Sequence, residues 1–167
     1  MSKTEENLKA AFSGESQANR RYLAFAKAAE DQGQKQAAKL FRAAAEAETV
    51  HALGHLRAMG AIGDTLQNLQ EAVGGETYEF TKMYPQFIAE AEGEKADGAL
   101  RMFRWANRVE EVHAALFGKA KELVAAGQKV PEVAIFVCSV CGNTVEGQAP
   151  DRCPVCQSAK SAFKEIK

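Results

Sequence analysis

Phe103-Arg-Trp-Ala-Asn-Arg-Val-Glu110-Glu-Val-His113-Ala-Ala-Leu-Phe117 is the stretch that decides the fold. Phe103, Ala106, Glu110, His113 and Phe117 recur at helical steps and share one face. That face is apolar except at its centre, where a carboxylate and an imidazole stand three residues apart. An earlier stretch repeats the arrangement: Leu40, Phe41, Ala44, Glu48, His51 and His55, with Glu48-Thr-Val-His51 as a second Glu-x-x-His. Two further stripes carry acids alone. One reads Leu8, Phe12, Glu15, Asn19, Tyr22; the other reads Leu69, Val73, Glu76, Glu79, Phe80, Met83, Phe87.

Outward from these stripes, residues 4–126 are rich in Ala, Leu, Glu, Gln and Lys, all strong helix formers. The pattern predicts four helices, at about 4–31, 34–59, 65–91 and 95–126, with Gly33, Gly60 to Gly63, Gly93 and Gly127 at the joins. Thr4 is the expected cap of the first helix and Asp64 that of the third. Gly14, Gly54, Gly74, Gly75 and Gly98 fall inside these helices and weaken them by about 1 kcal/mol each relative to Ala. The chain has 167 residues, 46% apolar and 26% charged, enough for a packed core. Its net charge of -1 gives no support to nucleic-acid or polybasic membrane binding. With no apolar leader and no spanning-length apolar run, the expected location is cytoplasmic.

Glu15, Glu48, Glu76, Glu79 and Glu110 facing one bundle interior would be strongly unfavourable if unpaired. Burying an isolated carboxylate costs several kcal/mol, like charges add repulsion, and the stripes offer no Arg or Lys beside them. Divalent cations resolve this most simply. A bundle in which two helices give one Glu each and two give Glu-x-x-His is the dinuclear carboxylate pattern. Glu15, Glu48, His51, Glu76, Glu110 and His113 complete that set, and carboxylates with one imidazole per metal suit iron or manganese. His55 has no Glu three residues before it and reads as a surface or supporting residue. Tyr22 reads equally as a core aromatic or as a hydroxyl donor near the site.

Beyond Gly127 the composition changes. Residues 131–167 contain all four cysteines, as Cys138-Ser-Val-Cys141 and Cys153-Pro-Val-Cys156, and are too few to fold on apolar burial alone. Two Cys-x-x-Cys knuckles without a secretion signal predict a four-thiolate metal site rather than disulfides. Tetrahedral sulfur admits zinc or iron, and spacing alone does not choose. A redox-capable centre in the same chain favours iron. The expected domains are thus a helical bundle at 1–130 and a four-cysteine domain at 131–167.

The sequence resembles the rubrerythrin family across nearly its whole length. The resemblance rests on Gly14-Glu15-Ser-Gln-Ala-x-x-Arg21-Tyr22, Glu48-x-x-His51, Gly75-Glu76-x-x-Glu79, Met83-Tyr84-Pro85, Glu110-x-x-His113 and the rubredoxin-like cysteine pairs. It implies a mainly α fold: a ferritin-like four-helix bundle followed by a small rubredoxin-like domain. It also implies a non-haem di-iron centre, with iron on Cys138, Cys141, Cys153 and Cys156 as electron relay. Glu79 and His51 are the implied catalytic pair, exchanging as ligands when one iron changes oxidation state. The implied reaction is reduction of hydrogen peroxide to water in oxidative-stress defence.

Electrons would come from an external donor, either a rubredoxin or an NAD(P)H-dependent reductase, because no dinucleotide-binding glycine fingerprint is present. A ferroxidase or iron-handling role, and a binding module with a structural zinc knuckle, are the competing readings. Residues 60–64 reach at most ~18 Å, whereas a parallel crossover must span the ~40 Å of a 26-residue helix. Either the bundle is plain up-down-up-down or the third and fourth helices come from a second chain, and the expected assembly is a homodimer with those helices exchanged about the Gly60–Gly63 hinge.

Overall fold

Reciprocal capping starts the first helix. Ser2 Oγ accepts from the Glu5 amide while the Glu5 carboxylate accepts from the Ser2 amide, at 3.2 and 2.6 Å. Helix α1 therefore spans Lys3–Asp31 with Ser2 as its cap, and Thr4 lies inside the first turn. Ser2 takes the role because a Glu follows it three residues on, which Thr4 lacks. The computed structural model describes residues 2–167. Helix α2 runs Lys35–Ala58, and Gly60, at φ 63°, closes it with the left-handed backbone that glycine adopts without strain.

Asp64 caps α3 (Thr65–Tyr78) through a second reciprocal pair, with Gln67. The third predicted helix forms without a break in the chain's helical run, but not as a uniform α-helix. After Tyr78 comes one π-helical turn, Glu79–Met83, and then α4, Tyr84–Gly93. Pro85 is the reason available in the sequence: inside a regular helix its ring crowds an earlier carbonyl and it lacks an N–H. Here it occupies the first turn of α4, where a missing donor is tolerated. The Tyr84 amide reaches back five residues to the Glu79 carbonyl. Helix α5 spans Asp97–Ala125, and the interior glycines at 14, 54, 74, 75 and 98 break none of these helices.

Chain contacts divide the protein into two compact units, one ending at Gly63 and the other beginning at Asp64. The first is the α1–α2 hairpin. Ala38, Ala45 and Ala52, seven residues apart and all buried, let the helices approach closely. Tyr22, Phe25 and Phe41 pack their rings at one level of the hairpin, with centroids 5.6–6.4 Å apart. Tyr22 thus serves as a packing aromatic.

In the second unit α5 packs against α3, the π turn and α4. Tyr84, Phe87 and Phe103 form its aromatic cluster, with centroids 5.6–6.2 Å apart. The C-terminal part is a three-stranded antiparallel sheet in the order β2-β1-β3, from β1 (Ile135–Cys138), β2 (Thr144–Glu146) and β3 (Phe163–Ile166). Its buried residues are few: Cys138, Asn143, Ala149 and Cys153. Two of these are cysteines, as expected where an ion replaces an apolar core.

Candidate metal centres

The four thiols converge. Cys138 Sγ lies 3.7 Å from Cys156 Sγ, and Cys141 Sγ lies 3.5 Å from Cys153 Sγ. All four ligand atoms fall within 4.8 Å of one another, and all four cysteines are free. Sulfur atoms held ~2.3 Å from one tetrahedral ion stand about 3.8 Å apart, so the spacing fits a single metal. The backbone builds this cage from two tight loops: Gly142 N–H returns to the Cys138 carbonyl and Gln157 N–H to the Cys153 carbonyl, at 2.8 and 2.9 Å.

The thiols differ in acidity. Burial pushes the Cys141 thiol well up. Burial also raises Cys156, but hydrogen bonds from the Ser158 hydroxyl and backbone, and from neighbouring thiols, outweigh it and leave Cys156 at about 6.

The helical acids and imidazoles gather into two triads. Glu15, Glu48 and His51 form one within the α1–α2 hairpin; Glu76, Glu110 and His113 form the other within the second unit. In the first, His51 Nδ1 lies 3.0 Å from Glu48 Oε2. A proton shared with Glu48 raises Glu15 and lowers Glu48, which His51 also stabilises in its charged form. In the second, His113 Nδ1 lies 2.7 Å from Glu110 Oε2 and 3.7 Å from Glu76 Oε2. Burial first, then the proton shared with Glu110 and its charge, raise Glu76. Donor atoms bound ~2.1 Å from one ion lie on the order of 3 Å apart, so each triad has the dimensions and hard donor set of a divalent-cation half-site.

Glu79 stands outside both triads. It opens the π turn, and its carboxyl is raised by burial and then by the charge of Glu76, with His113 acting in the opposite sense. It is thus a carboxylate close to the second triad without belonging to it. His55 also lies outside the triads, although its charge reaches Glu15.

Several supporting residues were given no role by the sequence. Burial raises Tyr84, and the charges of Glu110, Glu79 and Glu76 raise it further, which places its phenol among the second set of acids. Asn19 is buried and ties α1 to α2, and Thr144 of β2 meets His113 Nε2 at 2.9 Å. Asn19 was visible as a polar interruption of a stripe. Thr144 lies 31 residues from its partner and left no signal in spacing. Glu76 and His113 also line a cavity of about 400 Å³ with Leu69, Leu116, Phe117 and Thr144 among its walls.

The Rubrerythrin family model matches residues 6–121, and that of the rubrerythrin rubredoxin-like domain matches residues 136–164. Nigerythrin of Nitratidesulfovibrio vulgaris is 36% identical, the match covering 96% of this chain and 85% of that protein. Rubrerythrin of Porphyromonas gingivalis is 34% identical over 99% of this chain and 91% of its own. Rubrerythrin-2 of Clostridium acetobutylicum is 31% identical over 96% and 95%. Among solved structures, nigerythrin in a partially reduced state and in a fully reduced, all-ferrous state each align with a TM-score of 0.58 at 33% identity, covering 99% of this chain and 88% of theirs.

Proposed function

We propose that this chain, which belongs to the rubrerythrin family, reduces hydrogen peroxide to water with electrons relayed from its four-cysteine site to its helical centre. Its cofactor is iron, in a di-iron carboxylate–histidine site and a rubredoxin-like four-cysteine site. We assign Glu15, Glu48, His51, Glu76, Glu79, Glu110 and His113 to the first and Cys138, Cys141, Cys153 and Cys156 to the second. The observation that carries the reading is the pairing of two carboxylate–imidazole triads with a thiolate tetrahedron in one chain. A ferroxidase needs no such tetrahedron, and a structural knuckle needs no triads.

The overall step consumes one peroxide, two electrons and two protons and yields two waters. Two ferrous ions, when bound, supply both electrons together, so no hydroxyl radical is released. The chain's own residues do the rest. Glu15, Glu48, Glu76 and Glu110 place negative charge where a higher oxidation state needs it. Glu79, outside the triads, would offer iron a further carboxylate, and His51 is the ligand with which it would exchange. The charges of Glu110, Glu79 and Glu76, after burial, favour the protonated form of Tyr84.

A homodimer with exchanged helices supplies the complete site. In this arrangement Glu79, Glu76, Glu110 and His113 of one chain stand with the partner's Glu15, the partner's Glu48 and the partner's His51. Three things support it: the division of the triads at Gly63, the short hinge, and an α1–α2 hairpin that leaves Leu40 69% and Val50 62% exposed. The electron donor is external, a rubredoxin or an NAD(P)H-dependent reductase. A reducing cytoplasm is the compartment we assign, a reading that four free thiols support; no helix of the described residues is long and apolar enough to cross a membrane.

Anaerobic stopped-flow tests the reading. Iron-loaded protein, bleached by a donor, is mixed with peroxide or with dioxygen while the ferric–thiolate absorption is followed. Faster recolouring by peroxide supports the proposal; faster recolouring by dioxygen favours the ferroxidase, and no recolouring overturns the redox reading.

A further inference from the structure

Helix α5 approaches the small sheet domain at three heights. At Gly142, an added Cβ would lie 3.7 Å from Val109 Cγ1. His113 Nε2 stands 2.9 Å from Thr144 Oγ1, and Lys119 Nζ stands 2.6 Å from Glu146 Oε2. Thr144 and Glu146 alternate along β2 and so present the same side of the strand to the helix.

The middle contact has a definite polarity. Thr144 Oγ1 also lies 3.1 Å from the Gly142 carbonyl oxygen, which can only accept. With the single hydroxyl proton given to that carbonyl, the hydroxyl accepts from His113 Nε2–H. A neutral imidazole with its proton on Nε2 presents its lone pair at Nδ1, the nitrogen that faces Glu110 and Glu76.

We propose that Thr144 is a positioning residue serving both metal sites. Its hydroxyl holds His113 as an Nδ1 ligand and joins that imidazole, through the Gly142 carbonyl, to the backbone of Cys141. The route contains one N–H···O and one O–H···O bond, followed by the covalent path from Gly142 to the Cys141 sulfur. It rests on the assignment of His113 and Cys141 as iron ligands. Metal-bound histidines commonly give their second nitrogen to an outer partner that fixes the ring. Here that partner is supplied by the domain that carries the other metal. The Lys119–Glu146 pair joins the strand to α5 without the hydroxyl.

Thr144→Val removes the hydroxyl and keeps the side chain's shape; Thr144→Ser keeps the hydroxyl. In the iron-loaded full chain, Thr144→Val is expected to shift the midpoint potential of the di-iron centre. It is also expected to slow reoxidation of the four-cysteine iron through that centre by about tenfold. The potential of the four-cysteine iron and the melting temperature stay at wild-type values, and Thr144→Ser restores the wild-type potential and rate. The proposal is overturned if Thr144→Val leaves potential and rate unchanged, or if Thr144→Ser is as impaired as Thr144→Val. Should Thr144→Val unseat the sheet domain, NMR of the zinc-substituted wild-type chain decides: a solvent-protected His113 Nε2 proton supports the bridge, and a freely exchanging one overturns it. The potential is read without peroxide. A protein that fails to reduce peroxide yet shows the shift loses its assigned substrate and keeps the role of Thr144.

Discussion

Asn19 on α1 donates its Nδ2 to Thr49 Oγ1 at 2.8 Å and to the Ala45 carbonyl at 2.7 Å, fixing α1 against α2 at the level of Glu15 and Glu48. A seam of alanines alone permits sliding, and a slip of one turn displaces one acid from the other by ~5.4 Å. One buried amide with two partners across the seam selects the register in which the triad forms.

Asn19→Ala is therefore expected to destabilise the metal-free protein by about 1–2 kcal/mol. The Ala45 carbonyl keeps its helical bond, which holds the loss to that range. Urea unfolding measures the change, and iron titration should show weaker binding to the first triad.

Glu79→Ala separates metal holding from turnover. Both triads remain, so iron content stays near wild type while peroxide turnover falls on the order of tenfold. Unchanged turnover would remove Glu79 from the mechanism.

Helix exchange has a distinctive signature in mixed dimers. One chain carries Glu48→Ala with His51→Ala, and the other carries Glu110→Ala with His113→Ala. Unfolded together and refolded, exchanged dimers contain one intact di-iron site each and recover peroxide turnover. Unexchanged chains contain none, and the mixture then stays as inactive as its components.

Loss of one thiolate is expected to unfold the C-terminal domain alone. Cys153→Ser removes a buried ligand from a segment whose buried residues are few and half of them cysteine. Limited proteolysis should cut near residue 130 and leave a helical core. Ferric–thiolate absorption disappears, and turnover with an external donor ends with it.

Most of the fold was legible because each helix announces its polar core. Glu-x-x-His at 48–51 and 110–113 gave the face, and Asp64 gave a start. The π turn was not legible: periodicity carries one repeat through 76, 79, 80, 83 and 87, whereas the backbone inserts a wider turn from Glu79 to Met83. That insertion is a compromise around Pro85 and the packing of Tyr84 and Phe87 on Phe103, which no local pattern encodes. Thr144 stayed hidden for a different reason, since its role exists only once β2 lies against α5. The cysteine tetrahedron was the easiest to read, because two Cys-x-x-Cys loops prescribe their own geometry.

The two triads are near copies in composition, each with two carboxylates and one imidazole, yet they are not equivalent. Behind His113 stands a hydroxyl; the side chain of His51 is 56% exposed and Glu48 is its one recorded hydrogen-bond partner among the described residues. A duplicated pattern has thus lost its symmetry at a single point. One imidazole is tethered by a hydroxyl and the other is not, and the proposed exchange between His51 and Glu79 falls on the untethered half.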